Sequence, residues 1–167
     1  MAASVRNDSP ARAVSLLRSE RVVWLSTVGP DSHPHLVPIW FWWDGTSVFI
    51  ASKPNARKIR NLRLNPACML AIGDADDDFD VALVEARGEL TSIPTRSLMQ
   101  LGLLAKYRER MLAVGLAPVE FEATYSQVIR VTPTRWLPWH GRTPRMGSPL
   151  PAPMSSMELA TPANPGA

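Results

Sequence analysis

Between Arg21 and Ser52 three β-rich runs follow one another with little between them but turn chemistry. The first, RVVWLSTV (21–28), ends at Gly29-Pro30-Asp31-Ser32, residues that favour a tight reversal. The second, HPHLVPIWFWW (33–43), runs into Asp44-Gly45, a hairpin signal, and the third, TSVFIAS (46–52), follows at once. Consecutive strands joined by short turns lie antiparallel, so the chain is expected to build a sheet that curls. Pro38 interrupts the second run. Lacking an N–H, it is expected at an edge or a bulge, where the sheet opens locally. Alternation places Trp40 and Trp42 on one face and Trp43 on the other, so this strand is expected to have no solvated face. Such rings can serve as core, as a dimer seam, or as the wall of a flat aromatic ligand.

The remaining elements follow from the same signals. SPARAVSLLRS opens on Ser9 as a cap and Pro10 at the first helical position, with Val14, Leu16 and Leu17 as its apolar side. ACMLAI (67–72), FDVALVEARGELTSI (79–93) and SQVIRVTPTRW (126–136) read as further strands. Thr95 to Val114 carries Leu98, Leu101, Leu104, Ala105 and Met111 at helical spacing, and Gly115 follows as a stop. About six strands and three helices make an α+β, mainly β chain built on a small barrel. At 167 residues it is expected to form one domain over residues 1–140. A Pro-rich tail over residues 141–167 shows no periodicity and is expected to be flexible.

Charge is concentrated in one place. KPNARKIRNLRLNP (53–66) carries five basic side chains and no acid, whereas the formal charge of the whole chain is +3, so everything outside the stretch is net acidic. Five aspartates between Asp74 and Asp80 form a counter-run that lacks the central Gly and closing Glu of a calcium loop. A nucleic-acid binder spreads its basicity along a face, so this focus argues against one. Pro54 and Pro66 bracket a helix over roughly Asn55 to Leu64. At about 100° per residue, Ala56, Ile59 and Leu62 share one side, and Arg57, Lys58 and Asn61 are expected on an arc away from it. Lys53 precedes the helix, near the unpaired N–H groups of its first turn. Two readings stand: a solvated basic face, or a clamp for a phosphate monoester or diester. Arg60 and Arg63 are solvent-facing bystanders in either.

Other chemistry is excluded. The single cysteine, Cys68, allows neither a disulfide nor a Cys-based metal site, and a reducing cytoplasm is the expected compartment. No signal-like N-terminus or membrane-length apolar run is read. His33, His35 and His140 have no spacing for a metal set. No nucleophile elbow, Walker loop or dinucleotide fingerprint occurs. No catalytic side chain is singled out, and any redox chemistry is expected to be carried by a bound cofactor.

The order strand, turn, HLVPIWFWWDG, strand, KPNARKIRNLRLNPACML resembles the pyridoxamine 5′-phosphate oxidase-like superfamily, in particular its flavin/deazaflavin oxidoreductase branch. The resemblance spans about Arg12 to Trp139. It implies a six-stranded split β-barrel, a homodimer with cofactor sites at the interface, and coenzyme F420 or FMN as the cofactor, F420 being favoured by the wording from Pro38 to Gly45. Carried over by position, Lys53, Arg57, Lys58 and Asn61 would hold the cofactor phosphate. The backbone of Val37, Pro38, Ile39 and Trp40 would line the ring, Ala51 and Ser52 would flank the ribityl chain, and Trp136 matches the C-terminal part. WHGRTPRMG (139–147) departs from the family's Arg/His substrate motif, so vitamin B6 oxidation is not expected. The implied activity is hydride transfer between the cofactor and a small unsaturated or quinone-like substrate. The rivals are a non-catalytic flavin or haem carrier, with His33, His35 or His140 as axial ligand, and a nucleic-acid module.

Overall fold

The structure, a computed structural model, describes residues 9–74 and 80–137. The middle of the acidic run, Trp139, His140 and the Pro-rich tail lie outside the described residues. Helix α1 (Ser9–Ser19) buries Ala13, Leu16 and Leu17, one helical stripe, and leads into β1 (Val23–Val28). Then come β2 (Pro34–Ile39), β3 (Trp42–Trp43), β4 (Val48–Ser52), helix α2 (Arg57–Leu64), β5 (Ala67–Asp74) and β6 (Asp80–Thr91). Helices α3 (Thr95–Leu98), α4 (Leu104–Ala113) and α5 (Pro118–Thr124) precede the last strand, β7 (Gln127–Leu137).

All pairings are antiparallel, in the order β2-β1-β5-β6-β7-β4-β3. β2 and β3 therefore occupy opposite edges of the sheet, yet only Trp40 and Phe41 separate them in the chain. Three Cα steps span at most about 11 Å, so the sheet has to curl until its edges meet. That is the mainly β, split-barrel architecture expected. The strand count is seven because the second run breaks at Trp40–Phe41. Pro38 lies on an edge strand, where its missing N–H costs no ladder bond. Pro133 sits in β7 beside the register shift at Glu85/Ala86, the other place a sheet tolerates proline.

Two apolar clusters share the sheet. Inside the curl, Val23, Leu25, Val48, Ile50, Leu70, Val84 and Ile129 pack with α1 and with Ile59 and Leu62 of α2. Outside it, Phe49 and Val128 pack against Leu98, Leu103, Tyr107, Met111 and Phe121 from the helices. β4 alternates between the two, which is why it is buried on both faces. The tryptophans divide as alternation requires: Trp43 packs on the inner cluster, Trp40 and Trp42 on the outer one.

The long helix expected over Thr95–Val114 is interrupted by a kink within Met99–Leu103, where Gly102 has φ 157° and ψ −14°. The kink shifts the apolar stripe. Leu103 is fully buried, whereas Leu101, expected on that side, is 63% exposed. Helix α5 was not expected, although Pro118 at its first turn and the Glu120 carboxylate accepting from Ala117 N–H at 3.1 Å are start signals.

A Cβ on Gly102 would collide with the indole Nε1 of Trp42. Gly102→Ala should lose about 1–3 kcal/mol in urea unfolding. Unchanged stability would show that the helix kink does not depend on this contact.

Candidate functional site at the seam

Where the two sheet edges meet, backbone groups have no ladder partners, and a phenol replaces them. Tyr107, on α4 and fully buried, accepts a hydrogen bond from Phe41 N–H at 2.9 Å. Its own hydroxyl proton faces two carbonyls, Arg21 at 2.8 Å and Phe41 at 2.9 Å. Burial pushes the phenol up to about 12, so it stays a donor. The Lys106 ammonium lies 3.6 Å from the centre of the Phe41 ring, a cation–π contact that braces the same spot. The ring of Tyr107 stacks on Trp40 (centroids 4.7 Å apart, 9° between planes), and Phe121 lies on Trp40 at 6.3 Å. Trp40 is thereby locked in an aromatic stack.

Beside this stack opens a cavity of about 600 Å³, the size of a cofactor or drug-like site. β2 and the seam contribute Pro38, Ile39 and Trp40, and Ala51, Lys53, Ala56 and Lys58 come from β4 and the start of α2. Val22 and the α4–α5 corner (Val114, Leu116, Phe121 and Tyr125) complete the wall. Among the described residues the lining holds two ammonium groups and no acid. The outer edge of β2 pairs with no strand among the described residues, so it offers backbone donors and acceptors to a ligand.

Helix α2 brings in the charge. Its N-cap is Ala56, without a side-chain cap bond, and no acid occupies its first turn. Its leading N–H groups are therefore available to an anion. The helix lies on β1 through Asn61, whose amide donates to Thr27 Oγ1 at 3.0 Å, both side chains being buried. Asn61 was expected on the arc facing away from the core; it is 2% exposed, beside Ile59 and Leu62. The reason is that the helix rests on polar Thr27 as well as on apolar residues, which widens its buried arc. Lys58 falls between Asn61 and Leu62 on that arc. It is consequently half-buried, and burial pulls its ammonium below the ordinary lysine value, with no ion pair or hydrogen bond to it among the described residues. Lys53 is more open, 6.0 Å from the centre of the Tyr125 ring.

The structure thus brings together Pro38, Ile39, Trp40, Ala51, Lys53 and Lys58 around one cavity. The other expected positions lie elsewhere. Val37 is on β2 but is not part of the lining. Ser52 is buried, its hydroxyl donating to Lys53 C=O at 3.3 Å. Arg57 projects over the β1–β2 turn, its guanidinium 3.7 Å from where a Cβ of Gly29 would sit. Trp136 packs on the inner cluster, across from Val84. Arg60 and Arg63 are exposed, and Arg60 donates to Asn55 C=O at 3.0 Å. Sequence reasoning missed Val22, Ala56 and the wall from the α4–α5 corner. The aromatic pair Phe121 and Tyr125, four residues apart after Pro118, was the available signal.

Comparison with known proteins agrees with this fold. The family profile described as pyridoxamine 5′-phosphate oxidase matches residues 9–140. No curated protein matches the chain in sequence. Among solved structures, an F420 reductase is 27% identical, with a TM-score of 0.59 over 74% of this chain and 94% of its own. A conserved hypothetical protein from Mycobacterium tuberculosis is 24% identical, with a TM-score of 0.63 over 92% of this chain and 99% of its own. A FAD-binding protein from Mesorhizobium loti, 17% identical, reaches 0.56 over 77% of this chain and 90% of its own. The latter two show the fold alone.

Removing one oxygen tests the seam. Tyr107→Phe leaves the buried Phe41 N–H without its partner, so unfolding free energy should fall by about 1–3 kcal/mol. A variant as stable as the parent would mean that water or another group closes the gap.

Proposed function

The chain belongs to the pyridoxamine 5′-phosphate oxidase family, and on that premise we propose that its seam cavity binds a flavin-type cofactor for redox chemistry on a small molecule. Coenzyme F420 is the first candidate and FMN the second. One observation carries the reading. The cavity is divided between an apolar aromatic slot at Pro38–Ile39–Trp40 and a cationic end at Lys53, Lys58 and the uncapped start of α2. A flat ring joined to a phosphate has that same division.

When bound, the cofactor supplies the hydride for an unsaturated or quinone-like acceptor. The chain's own residues bind and orient. Lys58, half-buried and without an ion pair among the described residues, is a cation that gains from an anion more than an exposed lysine would. Lys53 and the first N–H groups of α2 add donors, and Arg57 and Ser52 stand one step further out. Asn61 acts indirectly, by holding the helix on Thr27. The free edge of β2 presents backbone groups to the rim of the ring, while the Trp40 stack keeps its wall flat. The acceptor would enter along Val114, Leu116 and Tyr125, which shed water from the ring face. No side-chain acid among the described residues lines the cavity, so the proton accompanying the hydride is left to solvent. Among the described residues no imidazole stands ready to ligate a haem, since neither His33 nor His35 is in the lining; His140 lies outside them.

A homodimer belongs to the same proposal. Trp24 and Leu36 are 43% and 57% exposed, and the register Trp24↔Pro38, Ser26↔Leu36 puts these apolar side chains on one face of the sheet. A second copy is the occupant that suits a self-complementary apolar face.

Lys58→Ala should weaken FMN or F420 binding by about 1.5–3 kcal/mol, roughly tenfold to a hundredfold, in calorimetric titration with an unchanged circular dichroism spectrum. An unchanged Kd would overturn the assignment of the cationic end.

A further inference from the structure

Eighteen residues of the chain are Lys or Arg, and only three of them are lysines. Lys53 and Lys58 line the cavity; the third, Lys106, lies apart from it on α4. Its ammonium sits 3.6 Å from the centre of the Phe41 ring and 5.6 Å from that of Tyr107. Phe41 is fully buried and the Tyr107 hydroxyl is fixed by three backbone groups, so the surface beneath the amine is held in place. Nothing else among the described residues holds it: no carboxylate is within ion-pair distance and no acceptor within hydrogen-bond distance. The acid facing it, Glu20 just after α1, acts from further off. The side chain is half-buried, yet Nζ still reaches solvent.

These surroundings favour a free amine. A π face attracts an ammonium but offers it no acceptor, so proton loss there breaks neither a hydrogen bond nor an ion pair. Burial outweighs the pull of Glu20 and brings the amine down to about 8. At neutral pH about a tenth of it is then unprotonated, against less than about one in a thousand for an ordinary lysine. An arginine would also make a cation–π contact with Phe41, but its guanidinium does not lose its proton. What lysine adds at this position is a nucleophilic nitrogen.

We propose that Lys106 is a modification site, acylated by small anionic acyl donors of the acyl phosphate class. The Nζ lone pair attacks the acyl carbon and forms the C–N bond. The C–O bond to phosphate breaks, phosphate leaves with that electron pair, and the proton of the amine passes to solvent. Two exposed cations draw an anionic donor to this side: Arg110, one turn along α4, and Arg21, whose charge reaches Tyr107. The product is a neutral amide where an ammonium had met the Phe41 ring, one residue from the Trp40 wall. The site is separate from the cavity and stands whether or not a flavin binds there.

Acetyl phosphate is the probe, applied to the full-length folded chain, with peptide mass spectrometry to follow Lys106. At neutral pH Lys106 should be acetylated about tenfold faster in the folded chain than in the chain unfolded in guanidinium chloride. In the folded chain its rate should reach half of its plateau near about pH 8. Lys106→Arg, which keeps a cation beside Phe41, should remove the fast phase of acetyl uptake and leave the slow one. Equal rates in the folded and unfolded chains would overturn the proposal. So would a half-plateau above about pH 10, or a fast phase that survives Lys106→Arg.

Discussion

The hydroxyl of Tyr107 does what a sheet cannot do for itself. A seven-stranded antiparallel sheet whose edge strands are two residues apart in the chain has to curl shut, but at Trp40–Phe41 the ladder is broken. Unpaired buried backbone groups there would each cost about 1–3 kcal/mol. One phenol meets the Phe41 N–H and faces the carbonyls of Arg21 and Phe41, tying the start of β1 to the break. The same ring pins Trp40 by stacking. Closing the barrel and flattening the cavity wall are therefore consequences of one side chain, and the opening beside it exists because closure is incomplete.

The electrostatic half of the site follows from how α2 is seated. Eight residues carry four cations, and the helix still buries three side chains. Because Asn61 shares in the burial through Thr27, the buried arc extends past Lys58. One lysine of the basic stretch is thus drawn under cover, while Arg60 and Arg63 remain in solvent. A solvated basic arc and a half-buried cationic arc are both present on one helix. Cys68, by contrast, is pushed up to about 12 by burial, which leaves it an inert packing thiol.

Local signals made most of the fold legible. Strands, the Pro38 edge position, the bracketing prolines of α2 and the alternation of the tryptophans all depend on neighbours in sequence. Asp44 shows the limit of such signals. It does make the expected turn, its carboxylate accepting from Thr46 and Ser47 N–H at 2.7 Å each, but the loop takes four residues rather than two. What stayed hidden depends on distant partners. The break at Trp40–Phe41 is set by Tyr107, 66 residues on, and the kink in the α3–α4 segment by contact between Gly102 and Trp42. The burial of Asn61 needs Thr27, 34 residues earlier. In the site, the charged end and the β2 slot could be read because residue type names their chemistry. The wall from Val114 to Tyr125 could not, since apolar side chains near a glycine look the same in a core and in a cavity.

The central claim is that a barrel seam with an aromatic wall and a cationic end receives a ring bearing a phosphate. It is tested most directly by the visible absorbance spectrum of the purified protein after mixing with FMN, with deazaflavin coenzyme, or with haem, followed by gel filtration. The account predicts that flavin or deazaflavin absorbance co-elutes with the protein in about one equivalent per chain. Protein that elutes free of both chromophores, or that retains haem alone, would contradict it.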